Sequence, residues 1–120
     1  MKTLFLLVLL TRNAAGDINA SFVNTDTLDQ CREKAQLVEG VFNGAGIPIV
    51  ESRCIRSELM FSEFSHTISS SMTRHFYLVH VDDGRVDIRP VEDWYACKQQ
   101  EQQGAGKGRL YCSSSVQTLR

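Results

Sequence analysis

Most of the patterns that identify an enzyme or a binding site are missing from this sequence, and each absence excludes a class of protein. The net charge is −1, from 13 Lys and Arg against 14 Asp and Glu, which argues against nucleic-acid binding and against a polybasic membrane patch. The apolar run near the N-terminus is far too short for a transmembrane helix. Nothing matches the G-x-S-x-G nucleophile elbow or the GxxxxGK[ST] phosphate loop. We therefore expect no nucleic-acid partner, no transmembrane segment and no cofactor.

The composition that is present is that of a globular domain. Hydrophobic residues make up 42% and charged residues 22% of the chain, which is typical of a folded protein and not of a disordered one. With 120 residues, the chain is large enough for one hydrophobic core but not for two. We see no internal repeat, and we predict a single domain over residues 1–120.

The four cysteines, Cys31, Cys54, Cys97 and Cys112, lack the close C-x2-C or C-x4-C pairs typical of structural zinc sites, so we expect no metal site. An even count in a short chain permits a disulfide framework. Sequential pairing, Cys31–Cys54 and Cys97–Cys112, closes short local loops, and we favour it. Two alternatives stay open: a zinc site despite the spacing, and reduced cysteines buried as small hydrophobic residues.

Residues 1–16 fit two interpretations. Lys2, the apolar run 4–10 and the small residues before Asp17 imitate the three regions of a secretory signal peptide. The same run also fits a central strand, apolar on both faces, followed by a turn and a second strand. We favour the retained strand, although cysteine pairing argues for export. The strand predicts a cytoplasmic protein, whereas the signal peptide predicts a periplasmic or secreted one.

The clearest helix follows the N-terminal segment. Thr27, followed three residues later by a glutamine, forms a capping-box pattern, and apolar residues then recur at steps of three and four. We predict an amphipathic helix over about 27–43 and a strand over 47–55. A helix that rises by roughly 1.5 Å per residue and a strand that returns at roughly 3.3 Å per residue bring Cys54 back level with Cys31.

The strongest strand signal is a hairpin around Asp83 and Gly84, the residue types of a tight turn. We predict strands over 73–82 and 85–91 with His80 opposite Asp87. In this register one face is apolar, and we assign it to the core: Tyr77, Val79, Val81, Val86 and Ile88.

The remaining segments have weaker patterns. Apolar residues spaced by four fit a short helix within 57–72, but the many serines fit a loop equally well. Pro90 and the two acidic residues near it predict a short helix near 91–102. The glycines of 104–108 indicate a flexible linker, and we expect 113–120 to be a disordered tail.

Together these elements predict an α+β fold: a small antiparallel sheet with one principal amphipathic helix packed on one face. The strands of the sheet are the N-terminal pair, if retained, together with the return strand and the hairpin.

His80 opposite Asp87 is the only pair that resembles catalytic machinery. A histidine oriented by a carboxylate is half of a hydrolytic triad, and a serine of the 69–71 run would have to be the nucleophile. A cross-strand polar pair on a solvated face needs no catalytic role. We therefore treat His80 and Asp87 as weak catalytic candidates, and the sequence favours a non-enzymatic role without deciding the question.

Apolar residues outside the predicted core suggest protein contacts, since exposed aromatic side chains often mark interfaces. The candidates are Phe61, Phe64, Phe76 and Leu78. Our leading hypothesis is a small non-enzymatic protein-interaction module, or an accessory subunit of a larger assembly, with an unidentified protein partner. The alternatives are a small hydrolase using His80 and Asp87, and an exported inhibitor or toxin-like protein.

Overall fold

The computed structural model describes residues 4–62, 73–104 and 106–119. Within them the chain forms the following elements: β1 (Phe5–Arg12), β2 (Ile18–Thr25), α1 (Leu28–Gly44), β3 (Ile49–Arg56), β4 (His75–Asp82), β5 (Arg85–Val91), α2 (Trp94–Gln103) and β6 (Arg109–Ser115). The α+β class is therefore confirmed.

The predicted small antiparallel sheet is corrected to a larger mixed sheet that curls into a half-barrel. Its six strands lie in the order β3-β1-β2-β6-β4-β5. All neighbours are antiparallel except β2 and β6, which run parallel where Ile18 pairs with Ser113 and Asn19 with Ser114. This pairing joins segments that are distant in the sequence, so no local pattern indicates it.

β1 is a central strand that is apolar on both faces, as the strand interpretation of 1–16 predicts. Residues 6–10 are each 0% exposed. Leu6, Val8 and Leu10 face the concave side and the main core. Leu7 and Leu9 face the convex side, where α1 covers them. Cleavage before Asp17 would remove the strand that pairs with both β2 and β3.

α1 begins where the sequence predicts. The Thr27 side chain accepts a hydrogen bond from the Gln30 amide at 3.1 Å, and the Gln30 side chain accepts one from the Asp26 amide at 3.0 Å. These bonds satisfy amides at the helix start that have no partner within the helix. The helix buries Cys31, Ala35 and Val38 against the convex face of the sheet.

The β4–β5 hairpin has the predicted register, with Asp82 opposite Arg85 and His80 opposite Asp87. A second helix follows, as expected, but it begins later than Pro90 suggests. Pro90 lies in β5, and Asp93 caps α2 by accepting a hydrogen bond from the Ala96 amide at 2.7 Å. α2 packs on the convex face of β4 and β6.

The expected disordered tail is also corrected. Residues 113–115 belong to β6, the last of the described strands, and Gln117 is only 1% exposed. The Gln117 side chain accepts a hydrogen bond from the Phe22 amide at 2.8 Å and donates one to the Phe22 carbonyl at 2.6 Å. It thereby continues the pairing of β2 beyond the end of the parallel ladder. The segment after β6 closes the concave core against Phe61 and Tyr77.

Candidate functional site

A groove lies on the convex face, between the C-terminal end of α1 and the strand residues that neither helix covers. It has a volume of about 630 Å³. The sheet register explains its floor: Thr11 pairs with Asn19, Asn19 with Ser114, and Ser114 with Phe76. Thr11, Asn19 and Ser114 therefore form a polar row on one face of three adjacent strands, in the gap between the two helices.

The wall of the groove on the α1 side is mostly apolar. Val41 and Phe42 come from the last turns of the helix, and the loop that follows contributes Ala45, Ile47 and Pro48. Val41 is 48% exposed. The groove thus combines an apolar wall with a polar floor, which is the usual composition of a ligand site.

Arg74 lies at the edge of the polar floor, one residue before β4. Its Nε donates a hydrogen bond to Ser114 Oγ at 2.8 Å, and its Nη2 donates one to Asn19 Oδ1 at 2.8 Å. Nη2 also lies 3.5 Å from the Ser114 carbonyl oxygen. Nη1 makes no hydrogen bond within the described part of the chain. The guanidinium is therefore held in place by two neutral groups while several of its donors stay available.

No carboxylate within residues 4–62, 73–104 and 106–119 forms an ion pair with Arg74. The side chain is half-buried, and this burial lowers the pKa of the guanidinium below its ordinary value. An arginine that is partly desolvated and lacks a counter-ion is unusual, because burial of a charge is costly unless the charge is paired.

A smaller recess continues the groove on the other side of Arg74, towards α2. Asp17, Phe76 and Trp94 line it together with Arg74. Among the described residues, Asp17 is the only acidic one that lines either part, and it lies on the α2 side. Arg12 lines the α1 side, where its Nη1 donates a hydrogen bond to the Gly16 carbonyl at 2.8 Å. The α1 side of the groove is therefore the more positive one.

The sequence-predicted interaction residues lie elsewhere, and those within the described chain are not exposed apolar groups. Phe61 is 5% exposed and stacks on Phe22 in the concave core, with ring centroids 3.9 Å apart. Leu78 is 5% exposed beneath α2, and Phe76 is half-buried against Trp94. Phe64 lies outside the described residues. The surface predicted from these side chains is therefore covered or lies beyond the described structure.

The structure brings together the two catalytic candidates, since His80 Nδ1 and Asp87 Oδ2 lie 4.0 Å apart. The other ring nitrogen, Nε2, lies 2.6 Å from the Lys107 carbonyl oxygen. A carbonyl accepts hydrogen bonds only, so Nε2 carries a hydrogen here and does not serve as a general base in this arrangement. The serines 69–71 lie outside the described residues.

The cysteines lie in the two predicted pairs at disulfide distance. The Cα atoms of Cys31 and Cys54 are 6.0 Å apart, and those of Cys97 and Cys112 are 5.4 Å apart. Each pair joins a helix to a strand on the convex face. Among the described residues no group of histidines, cysteines or acids is arranged to hold a metal ion.

A second polar cluster lies on the concave side and joins β3 to β6. Glu51, which is 8% exposed, accepts hydrogen bonds from Arg109 Nε at 2.7 Å and from the Tyr111 hydroxyl at 2.9 Å. Burial raises the pKa of Glu51, but the hydrogen bonds from Tyr111 and Arg109 and the charges of Arg109 and Arg53 outweigh burial, so the pKa is lowered overall. This cluster closes the curled sheet.

Comparison of the chain with protein-family models, with curated proteins and with solved structures finds no match. Within the described residues, no helix combines the length and apolar character needed to cross a membrane. We therefore infer the function from the geometry of the groove.

Proposed function

We propose that this protein is a small non-enzymatic interaction module, and that it binds its partner in the groove beside the C-terminal end of α1. The single observation that carries this proposal is Arg74, a half-buried cation that pairs with no carboxylate of the described residues and lies at the edge of an apolar-walled groove. A partner group that pairs with Arg74 would compensate the cost of its desolvation.

The exposure of Val41 supports the same site. A half-exposed valine on the groove wall is an apolar surface that a partner would cover, which is favourable at roughly 25 cal/mol per Å² buried. The neighbouring Leu37 is 66% exposed one turn earlier on α1, but it lines a different surface recess. The two residues therefore offer a matched pair of positions, one inside the groove and one outside it.

The geometry of the histidines favours binding over catalysis. Within the described part of the chain, no hydrogen bond joins a histidine ring to a hydroxyl or a thiol, and the bond from His80 goes to a backbone carbonyl. A nucleophile and its base are expected within hydrogen-bond reach of one another.

The test uses 8-anilinonaphthalene-1-sulfonate, an apolar anion, as a probe of the folded protein. We expect its fluorescence to rise on binding and the amide NMR signals of Asn19, Val41 and Ser114 to shift. Val41→Gln should weaken binding several-fold, whereas Leu37→Gln, at a more exposed position on the same helix, should not. Signal shifts that map to another surface, or equal effects of the two variants, would contradict the proposed site.

A further inference from the structure

We propose that the groove recognises the carboxyl-terminal end of a protein chain whose last residues are apolar, with Arg74 pairing the terminal carboxylate. This inference rests on the proposed function and names the chemistry of the partner. It follows from three properties of the groove: an arginine that pairs with no carboxylate of the described residues, an apolar wall around a small volume, and a polar floor.

The charge of the groove favours a carboxylate. Nε and Nη2 of Arg74 are occupied by Ser114 and Asn19, which fix the plane of the guanidinium. Nη1 faces no acceptor among the described residues, so its donors are available to a carboxylate oxygen. A charge-assisted bond of this kind is about twice as strong as a neutral one. Asp17, the only acidic residue of the described chain that lines the two parts, lies on the α2 side of Arg74, so it repels a carboxylate towards the α1 side.

The wall and the size of the groove favour a chain end. A volume of about 630 Å³ suits a drug-sized ligand and accommodates only a few residues of a peptide. The carboxylate and the apolar side chains must therefore be close together in the partner. A chain terminus with apolar last residues provides both within two or three residues. The carboxylate would meet Arg74 while the side chains contact Val41, Phe42 and Ile47.

The polar floor favours a peptide over a simple fatty acid. The hydroxyls of Thr11 and Ser21 and the amide nitrogen of Asn19 line the groove and make no hydrogen bond with another described residue. A hydrocarbon chain laid over these groups would remove their water without replacing the hydrogen bonds, which is unfavourable. The N–H and C=O groups of a peptide backbone can replace those bonds.

The test compares the peptide Ac-Ser-Gly-Ala-Val-Leu with a free carboxylate and the same peptide with a carboxamide, by calorimetry and amide NMR on the full chain. We expect the amide to bind at least tenfold more weakly, and the free acid to displace the anilinonaphthalene probe. Arg74→Gln should bring the ratio of the two dissociation constants close to one. Arg85→Gln, which removes an exposed arginine outside the groove, should leave the ratio unchanged.

A second variant keeps Arg74 in place in case its removal unfolds the protein. Asn19→Asp supplies a carboxylate at the atom that Nη2 already contacts at 2.8 Å. We expect this internal counter-ion to abolish the preference for the free acid while the thermal unfolding midpoint stays near that of the wild type.

The outcomes separate this inference from the proposed function. If the anilinonaphthalene probe binds in the groove but the acid and the amide bind equally, or neither displaces the probe, the carboxyl-terminal ligand is wrong. If decanoate displaces the probe and the peptides do not, the ligand is a small amphiphilic acid, and the inference is overturned. If the probe itself does not bind in the groove, the proposed function fails as well.

Discussion

The molecule consists of two halves of the same design. In the first half, β1 lies between β2 and β3, and α1 covers their convex face. In the second half, β4 lies between β5 and β6, and α2 covers theirs. Each half has one cysteine pair that joins its helix to a strand, Cys31–Cys54 in the first and Cys97–Cys112 in the second.

The contacts within the halves differ sharply from the contacts between them. β1 and β2 pair over eight residue pairs, and β4 and β5 over seven, but β2 and β6 pair over only two. The junction between the halves depends instead on side chains, with Gln117 bonded to Phe22 and Glu51 bonded to Arg109. The groove lies over this junction on the convex face. The halves thus provide the framework, and the weakly paired boundary between them provides the candidate site.

The largest effect is expected from removal of residues 1–16. This deletion takes away β1, whose residues 6–10 are 0% exposed and which pairs with two other strands. We expect the truncated chain to lose its cooperative thermal transition and the dispersion of its NMR spectrum, because the first half then has no central strand. A truncated chain that folds as the intact one does would instead support the signal-peptide interpretation.

The two cysteine pairs should stabilise their halves of the molecule to a similar extent. We expect alkylation without reductant to label no cysteine in the purified protein. The Cys31→Ala/Cys54→Ala and Cys97→Ala/Cys112→Ala double variants should each lower the free energy of unfolding by about 3 kcal/mol, because the closed loops have comparable lengths. Chemical denaturation measures both losses. Free thiols in the native protein would show that the pairs are not bonded in solution.

Gln117→Ala should weaken the junction without disturbing either half. It removes the bonds of the Gln117 side chain to the Phe22 amide and carbonyl and to the Ser62 carbonyl. We expect a loss of about 2–3 kcal/mol, since buried backbone groups are left without partners. Hydrogen exchange should accelerate most at the Phe22 amide. Equal acceleration throughout β1 and β4 would contradict a local effect at the junction.

The smallest effect is expected from Glu51→Gln, and it should depend on pH. The folded-state pKa of Glu51 is lowered. The contribution of its carboxylate to the free energy of unfolding is therefore complete above the ordinary glutamate pKa of about 4.3, and it is lost as the pH falls through the folded-state pKa. The variant should be less stable than the wild type by about 1–2 kcal/mol at pH 7 and should approach it at low pH. Glu58→Gln, an exposed control, should show no such convergence.

The sequence was sufficient to predict much of the local structure within each half. The Asp83-Gly84 turn determines which residues of β4 and β5 face one another, and the Thr27 cap determines where α1 begins. These features depend on residues that are neighbours in the chain, so turn and capping chemistry is enough to find them.

The boundary between the halves could not be predicted, because its contacts do not depend on residues that are neighbours in the chain. Neither the β2–β6 pairing nor the bonds of Gln117 leave a local pattern, because their partners are far away in the sequence. A register shift between Leu10 and Thr11 also changes which side chains of β3 share a face, so Val50 packs into the concave core while Cys54 faces α1.

The candidate site was missed because Arg74 has no distinguishing neighbours in the sequence. Its significance comes from the absence of an acidic partner in space among the described residues. The sequence also did not show that the opposite face of β4 is covered. The interpretation of Pro90 as a helix start did not indicate that α2 would cover Leu78.

The position of β6 has a consequence for how the chain matures during synthesis. β6 is made after the other five described strands, yet it lies in the middle of the sheet between β2 and β4. Until it emerges from the ribosome, β2 and β4 both present open backbone edges, the kind of surface that promotes aggregation. The two halves form early from local contacts, whereas their union awaits the synthesis of β6 and requires the closure of a long loop, which is slow. A chain that terminates before β6 should therefore leave the backbone edges of β2 and β4 unpaired and should not fold into a shorter version of the protein.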